Sequence, residues 1–167
     1  MAFDFSNLRV LIVDDNEFMH EIMRELLQAL DFSVEKLNFA TDGEQALQML
    51  QQIPIDLVVC DLNMKPMNGK DFTTNVRRQE NSPNPFIPIV ICTGHAEANH
   101  ILDARDCGAN EILRKPVSAQ SIYSRIRAIV ESPRPYVRTE SFVGPDRRRQ
   151  DVPYSGVDRR MSTAEIG

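Results

Sequence analysis

Three short, almost purely apolar runs, Val10–Val13, Leu57–Cys60 and Ile89–Cys92, are separated by stretches whose apolar residues recur at helical spacing. Runs this short, without polar alternation, belong to strands covered on both faces, which a parallel sheet with helices on either side provides. The alternation of strand and helix patterns repeats five times before about residue 132, as βαβ units do. Two weaker segments, Ser33–Ala40 and Glu111–Arg114, mix polar with apolar residues and suit sheet edges. The expected architecture is a doubly wound α/β fold whose five parallel strands lie in the order 2-1-3-4-5.

The intervening helices carry their own signals. Phe18, Ile22, Leu26, Leu27 and Leu30 form one apolar stripe, and Ala46, Leu47 and Leu50 form another. Thr41-Asp42-Gly43-Glu44 has capping-box spacing, which predicts Thr41 as the cap of the second helix. Ser118 caps the last helix, which runs through Ile122, Ile126, Ile129 and Val130. A helix around 98–104 has a thin apolar face and is expected to be the most mobile.

After Ser132 the periodicity stops, and prolines, glycines and arginines take over. This divides the chain into a domain over 1–132 and a Pro/Arg-rich tail over 133–167. The division is also electrostatic: the first part has 12 Lys/Arg and 19 Asp/Glu, net −7, and the second has 7 Arg and 5 acids, net +2. No apolar run approaches the ~20 residues that cross a bilayer. The N-terminus has no basic start followed by a long apolar stretch, so a cytoplasmic location without membrane insertion is expected. Cys60, Cys92 and Cys107 form no Cys-x-x-Cys pair and read as reduced core thiols. His20, His95 and His100 lack metal-ligand spacing.

In an open parallel sheet, ligands bind beyond the carboxyl ends of the strands. There the first run ends in Asp14-Asp15, the third in Asp61 and the fourth in Thr93, while the fifth leads to Lys115-Pro116. A single strand-end aspartate commonly does no more than cap a helix. Three carboxylates brought together repel one another unless a cation shares the site, and an all-oxygen donor set favours Mg²⁺. With the metal bound, Asp61 can act as a nucleophile toward a phosphoryl group while Thr93 and Lys115 stabilise its oxygens.

These residues stand in Val13-Asp14-Asp15-Asn16, in Asp61-Leu62-Asn63-Met64-Lys65-Pro66-Met67-Asn68-Gly69, in Cys92-Thr93-Gly94 and in Gly108 through Lys115-Pro116. With these motifs, residues 8–132 resemble the bacterial receiver domains of two-component response regulators, of the stand-alone chemotaxis type. The resemblance implies a (βα)5 flavodoxin-like fold with Asp61 as phosphoacceptor. Asp15, Asp61 and the backbone carbonyl of Asn63 would ligate Mg²⁺, with Asp14 helping through water. It further implies a phosphohistidine donor on a sensor histidine kinase or phosphotransfer protein, a cis Lys115-Pro116 bond, and no enzymatic turnover beyond the protein's own phosphorylation and dephosphorylation. Two positions depart from the family pattern: Ile112 stands where an aromatic is usual, and Pro66 comes one place late, behind Lys65.

The tail is too short and aperiodic for a DNA-binding or catalytic output domain, so output through an unidentified protein partner and no DNA binding are expected. Within it, Phe142-Val143-Gly144-Pro145-Asp146-Arg147-Arg148 is echoed by Tyr154-Ser155-Gly156-Val157-Asp158-Arg159-Arg160. Arginine and aspartate have the donors and acceptors to read guanine, and Phe142 or Tyr154 offers a stacking face. The segment resembles arginine-rich tails of some chemotaxis-type receivers that bind cyclic di-GMP and dock on a motor, with a protein-docking motif or a solvated end as the other readings. Three readings of the body compete with the receiver. A Rossmann-type nucleotide site lacks its glycine-rich loop. A haloacid-dehalogenase-type phosphatase would need Asp-x-Asp after the first strand, where Asp14-Asp15-Asn16 stands, and an idle scaffold would bind no Mg²⁺.

Overall fold

The computed structural model describes residues 4–79, 82–94, 105–131, 135–138 and 142–145, together with the backbone of 165–166. Five parallel strands form one sheet: β1 (Val10–Val13), β2 (Leu37–Ala40), β3 (Leu57–Asp61), β4 (Ile89–Thr93) and β5 (Glu111–Arg114), in the order β2-β1-β3-β4-β5. This is the doubly wound (βα)5 flavodoxin-like order expected from the apolar runs. The central strands β1, β3 and β4 are buried at every residue, as their unbroken apolar character requires.

Alternate residues of each strand feed two cores. Leu11 and Val13 point with Val58, Ile89 and Ile91 toward helices α2 (Gly43–Gln52) and α3 (Gly69–Arg78), meeting Ala46, Leu50, Phe72 and Val76. Val10 and Ile12 point with Val59 and Val90 to the other face, where α1 (Glu17–Ala29) and α4 (Ala119–Glu131) supply Met23, Leu27, Ile122 and Ile126. Each such side chain contributes ~1.5–3 kcal/mol on burial, so the two layers fix which face each helix covers.

Several local expectations are corrected. Strand β2 begins at Leu37; the preceding Val34–Lys36 is a 3₁₀ turn closed by Lys36 N–H donating to the Ser33 carbonyl. Four residues of β1 are available to pair, Val10 with Leu37 through Val13 with Ala40, and the extra length has no partner. The stripe of α1 holds at Leu26, Leu27 and Leu30, which pack on the core, but Phe18 is 69% exposed and His20 and Met23 are buried in its place. The cap of α2 is Asp42, whose carboxylate accepts from Gln45 N–H at 2.9 Å. The Gln45 side chain reaches back to accept from Thr41 N–H, so the box is displaced by one residue. Ser118 does cap α4, accepting from Ser121 N–H. The helix expected around 98–104 lies outside the described residues.

Beyond α4 the chain does not remain aperiodic. Strands β6 (Tyr136–Arg138), β7 (Val143–Pro145) and β8 (Glu165–Ile166) form an antiparallel sheet in the order β7-β6-β8. Val137, Phe142 and Val143 are buried. Strands of two or three residues with three apolar anchors carry too weak a period to read from sequence.

Candidate functional site

The carboxyl edge of the sheet is assembled by register. Asp61 and Thr93 are the last residues of β3 and β4, and backbone bonds from Leu62 N–H to the Cys92 carbonyl and from Lys115 N–H to the Thr93 carbonyl, both 2.9 Å, hold the three strand ends level. Asp14 follows β1, its N–H bonded to the Ala40 carbonyl at 3.0 Å. Its Oδ1 accepts from Asn16 N–H, and Asn16 in turn caps α1 through Phe18 N–H. His20, one turn into that helix, donates from Nε2 to the Asp14 carbonyl at 2.8 Å. The acidic turn is therefore braced from both the sheet and the helix.

On the other side, α3 starts against the backbone of Asp61. Gly69 N–H bonds the Leu62 carbonyl at 3.0 Å, and a Cβ on Gly69 would collide with the Asp61 carbonyl oxygen. Only glycine permits this approach. Both Lys65-Pro66, in the loop between β3 and α3, and Lys115-Pro116 are cis.

Carboxylate oxygens of Asp14, Asp15 and Asp61 all lie within 4.8 Å of one another. Asp14 and Asp61 are buried and Asp15 is exposed, so the cluster opens to solvent on one side. Lys115 Nζ lies 2.9 Å from Asp61 Oδ1 and 3.8 Å from Asp14 Oδ2. Thr93 is fully buried, and Asn63 lies exposed two residues after Asp61. Ile12, Met23, Val59 and Cys92 line the crevice beneath Asp61 and Lys115.

Burial over this apolar floor raises the Asp61 carboxyl above its ordinary range. Lys115 opposes the rise, Asp14 and Asp15 add to it, and the net direction is upward. For Lys115, burial acts to lower the ammonium, yet its hydrogen bond and charge contact with Asp61, aided by Asp14, prevail and raise it. The pocket thus has an excess of negative charge that one ammonium does not cancel. A hard divalent cation with oxygen ligands matches this donor set, and the carboxylates are close enough to share one.

Of the residues the sequence predicts for the site, Asp14, Asp15, Asp61 and Lys115 come together, Thr93 ends the neighbouring strand with its carbonyl bonded to Lys115 N–H, and Asn63 lies exposed in the loop after Asp61. His20 and Gly69 are supports that the motifs do not reveal: Gly69 stands in the Asp61 motif without a stated role, and a histidine in a helical stripe carries no sequence signal of its own. Asp146, Arg147, Arg148, Asp158, Arg159, Arg160 and Tyr154 lie outside the described residues. Phe142, expected to offer a stacking face for a base, is 4% exposed and is packed into the molecule. Ile112 is partly buried and packs against the core on the α2–α3 side. No described helix is long and apolar enough to cross a membrane.

The chain matches the family model of the response regulator receiver domain over residues 10–127. It is 34% identical over 125 residues to the chemotaxis protein CheY-3 of Vibrio cholerae, covering 75% of this chain and 93% of that protein. To the chemotaxis protein CheY of Pseudomonas aeruginosa it is 35% identical over 124 residues, covering 74% and 97%. A solved structure of the Vibrio cholerae chemotaxis protein CheY4 superposes with a TM-score of 0.65 at 27% identity, over 73% of this chain and 98% of that one. Strand order, acidic strand ends and these similarities agree, and the chain belongs to the response regulator receiver domain family of two-component signalling, related to the chemotaxis-type members.

Proposed function

We propose that the protein is a single-domain response regulator that accepts a phosphoryl group on Asp61 and signals by changing its binding to another protein. The observation that carries this is a cluster of three carboxylates in which one ammonium serves two, Lys115 Nζ lying 2.9 Å from Asp61 Oδ1 and 3.8 Å from Asp14 Oδ2. Asp14, Asp15, Asp61 and the Asn63 carbonyl would hold Mg²⁺, which would supply charge neutralisation for the transferring phosphoryl group. A phosphohistidine on a sensor kinase or phosphotransfer protein is the donor. A carboxylate oxygen of Asp61 forms the new P–O bond as the P–N bond breaks, and the imidazole leaves with the bonding pair and takes up a proton. Lys115 then exchanges its carboxylate partner for a phosphoryl oxygen, and Thr93, at the same level on β4, takes another.

Turnover belongs to the protein's own phosphate alone, and its site of action is the cytoplasm. The domain proper is residues 1–132, with 133–167 as a C-terminal extension. The test is incubation with Mg²⁺ and acetyl phosphate followed by intact mass measurement. One added phosphoryl group in the wild type and none in Asp61→Asn is the expected result; equal labelling of the variant overturns the assignment.

A further inference from the structure

Arg77, in the last turn of α3, is fully buried far from the acidic pocket. Its Nε donates to the Gly108 carbonyl at 2.9 Å, Nη1 to the Pro85 and Ile87 carbonyls at 2.9 and 2.7 Å, and Nη2 to Asn110 Oδ1 at 2.9 Å. Among the described residues no carboxylate pairs with it. Its remaining cover comes from the C-terminal extension: the Tyr136 ring lies 5.0 Å from the guanidinium carbon, and Asn110 Nδ2 donates to the Tyr136 hydroxyl at 3.0 Å.

The extension also meets the body backbone to backbone. Gly108 has φ +110, and a Cβ there would lie 2.6 Å from the Val143 carbonyl oxygen. A Cβ on Gly144 would lie 2.8 Å from the Gly108 Cα. Strands β6 and β7 therefore rest on the turn 108–110. That turn is the foot of β5: Asn110 N–H bonds the Ile89 carbonyl and Asn110 Oδ1 accepts from Ile89 N–H, both 2.8 Å, tying it to the start of β4. Four residues of β5 then lead straight to Lys115.

The turn ends the connection that follows Thr93, and the strand leaving it leads into Lys115. Both are groups whose partners change if Asp61 is phosphorylated. We propose that β6–β7 is a strap whose docking on the Gly108–Asn110 turn is thermodynamically linked to the phosphorylation of Asp61, docking favouring the arrangement in which Lys115 bonds the free carboxylate. Linkage is reciprocal: what phosphorylation does to the strap, the strap does to phosphorylation. The buried guanidinium, paired with no carboxylate among the described residues, makes the docked state responsive, because undocking hydrates a cation while exposing Phe142 and Val143. This inference rests on the function proposed above.

The test uses the full chain and Gly144→Ala, whose added methyl group presses on the Gly108 backbone. Amide hydrogen exchange is read with and without Mg²⁺ and acetyl phosphate, and intact mass reports phosphate occupancy. Without donor, the variant is expected to exchange the amides of 108–110, 136–138 and 142–144 about tenfold faster than wild type, with β1 and β3 unchanged. Phosphorylated wild type should show loosening of the same amides, and the variant should reach a higher phosphorylated fraction at limiting donor. Should the variant not fold, Tyr136→Phe, which removes only the hydroxyl, is read in the same way. Unchanged strap exchange in wild type of confirmed occupancy overturns the linkage, as does unchanged exchange in the variant. Absence of any phosphoryl addition overturns the proposed function and the linkage together, and the mass measurement separates that case.

Discussion

Lys115 and Asp61 form the closest ion pair of the acidic pocket, 2.9 Å apart, with Asp14 on the same ammonium at 3.8 Å. One cation thus serves two carboxylates while a third, Asp15, stands beside them. Such an arrangement is poised to take up positive charge, and several expectations follow from that imbalance.

Lys115→Ala removes the group that holds the Asp61 carboxyl down against burial and its acidic neighbours. The Asp61 carboxyl is expected to titrate higher still, read by NMR of carbon-labelled aspartate. Phosphoryl transfer from acetyl phosphate should slow by roughly 10²-fold or more, the scale for losing one preorganised donor.

The raised Asp61 carboxyl makes a signed prediction about stability. Because the folded state holds this proton more tightly than the unfolded chain, ionised Asp61 lowers stability at every pH above its folded value. The penalty shrinks as pH falls through that value and vanishes below the unfolded value of 3.8. Asp61→Asn should therefore raise the thermal midpoint at neutral pH, with the gain disappearing under acidic conditions. An equal gain at every pH would assign it to packing.

Mg²⁺ should stabilise the wild type by about 2.7 kcal/mol at a hundred times its dissociation constant, following mass action. Asp15→Asn removes an exposed member of the cluster without disturbing the core. Its stability should no longer respond to Mg²⁺ over the same range, as read by urea unfolding.

Gly69→Ala places a methyl group against the Asp61 carbonyl. The helix start must then retreat from the phosphoacceptor strand, at a cost of ~1–3 kcal/mol typical of overpacking. Urea unfolding measures the cost, and phosphorylation should fall with it.

Burial drives the thiols upward, Cys92 to about 12, Cys107 to about 11 and Cys60 well above its ordinary value. None should react with a disulfide reagent at pH 8 in the native protein, and all three should react once it is unfolded.

The strand pattern alone specifies the sheet and the contents of its carboxyl edge. Val10–Val13, Leu57–Cys60 and Ile89–Cys92 are apolar on both faces, which only interior parallel strands satisfy, and in such a sheet the residues after each run must gather at one edge. Asp14, Asp61, Thr93 and Lys115 were legible because each is fixed by its own adjacent strand. Elements set by competition among neighbours were not. Phe18 continues a helical stripe but lies past the edge of the core, whereas His20 turns inward because the Asp14 carbonyl offers it a partner. Asp42 displaces Thr41 as a cap because the backbone becomes helical only at Gly43.

Strands β6 and β7 owe their order to contacts that no local pattern announces. Tyr136, Val137, Phe142 and Val143 form no periodic face, and their strands are too short to hold together alone. What orders them is a surface assembled from Arg77, the Gly108–Asn110 turn and Asn110 itself, residues from separate elements that meet only after the sheet has formed. A strand-end carboxylate is placed by the strand it follows; the strap has no site until distant parts of the chain have built one.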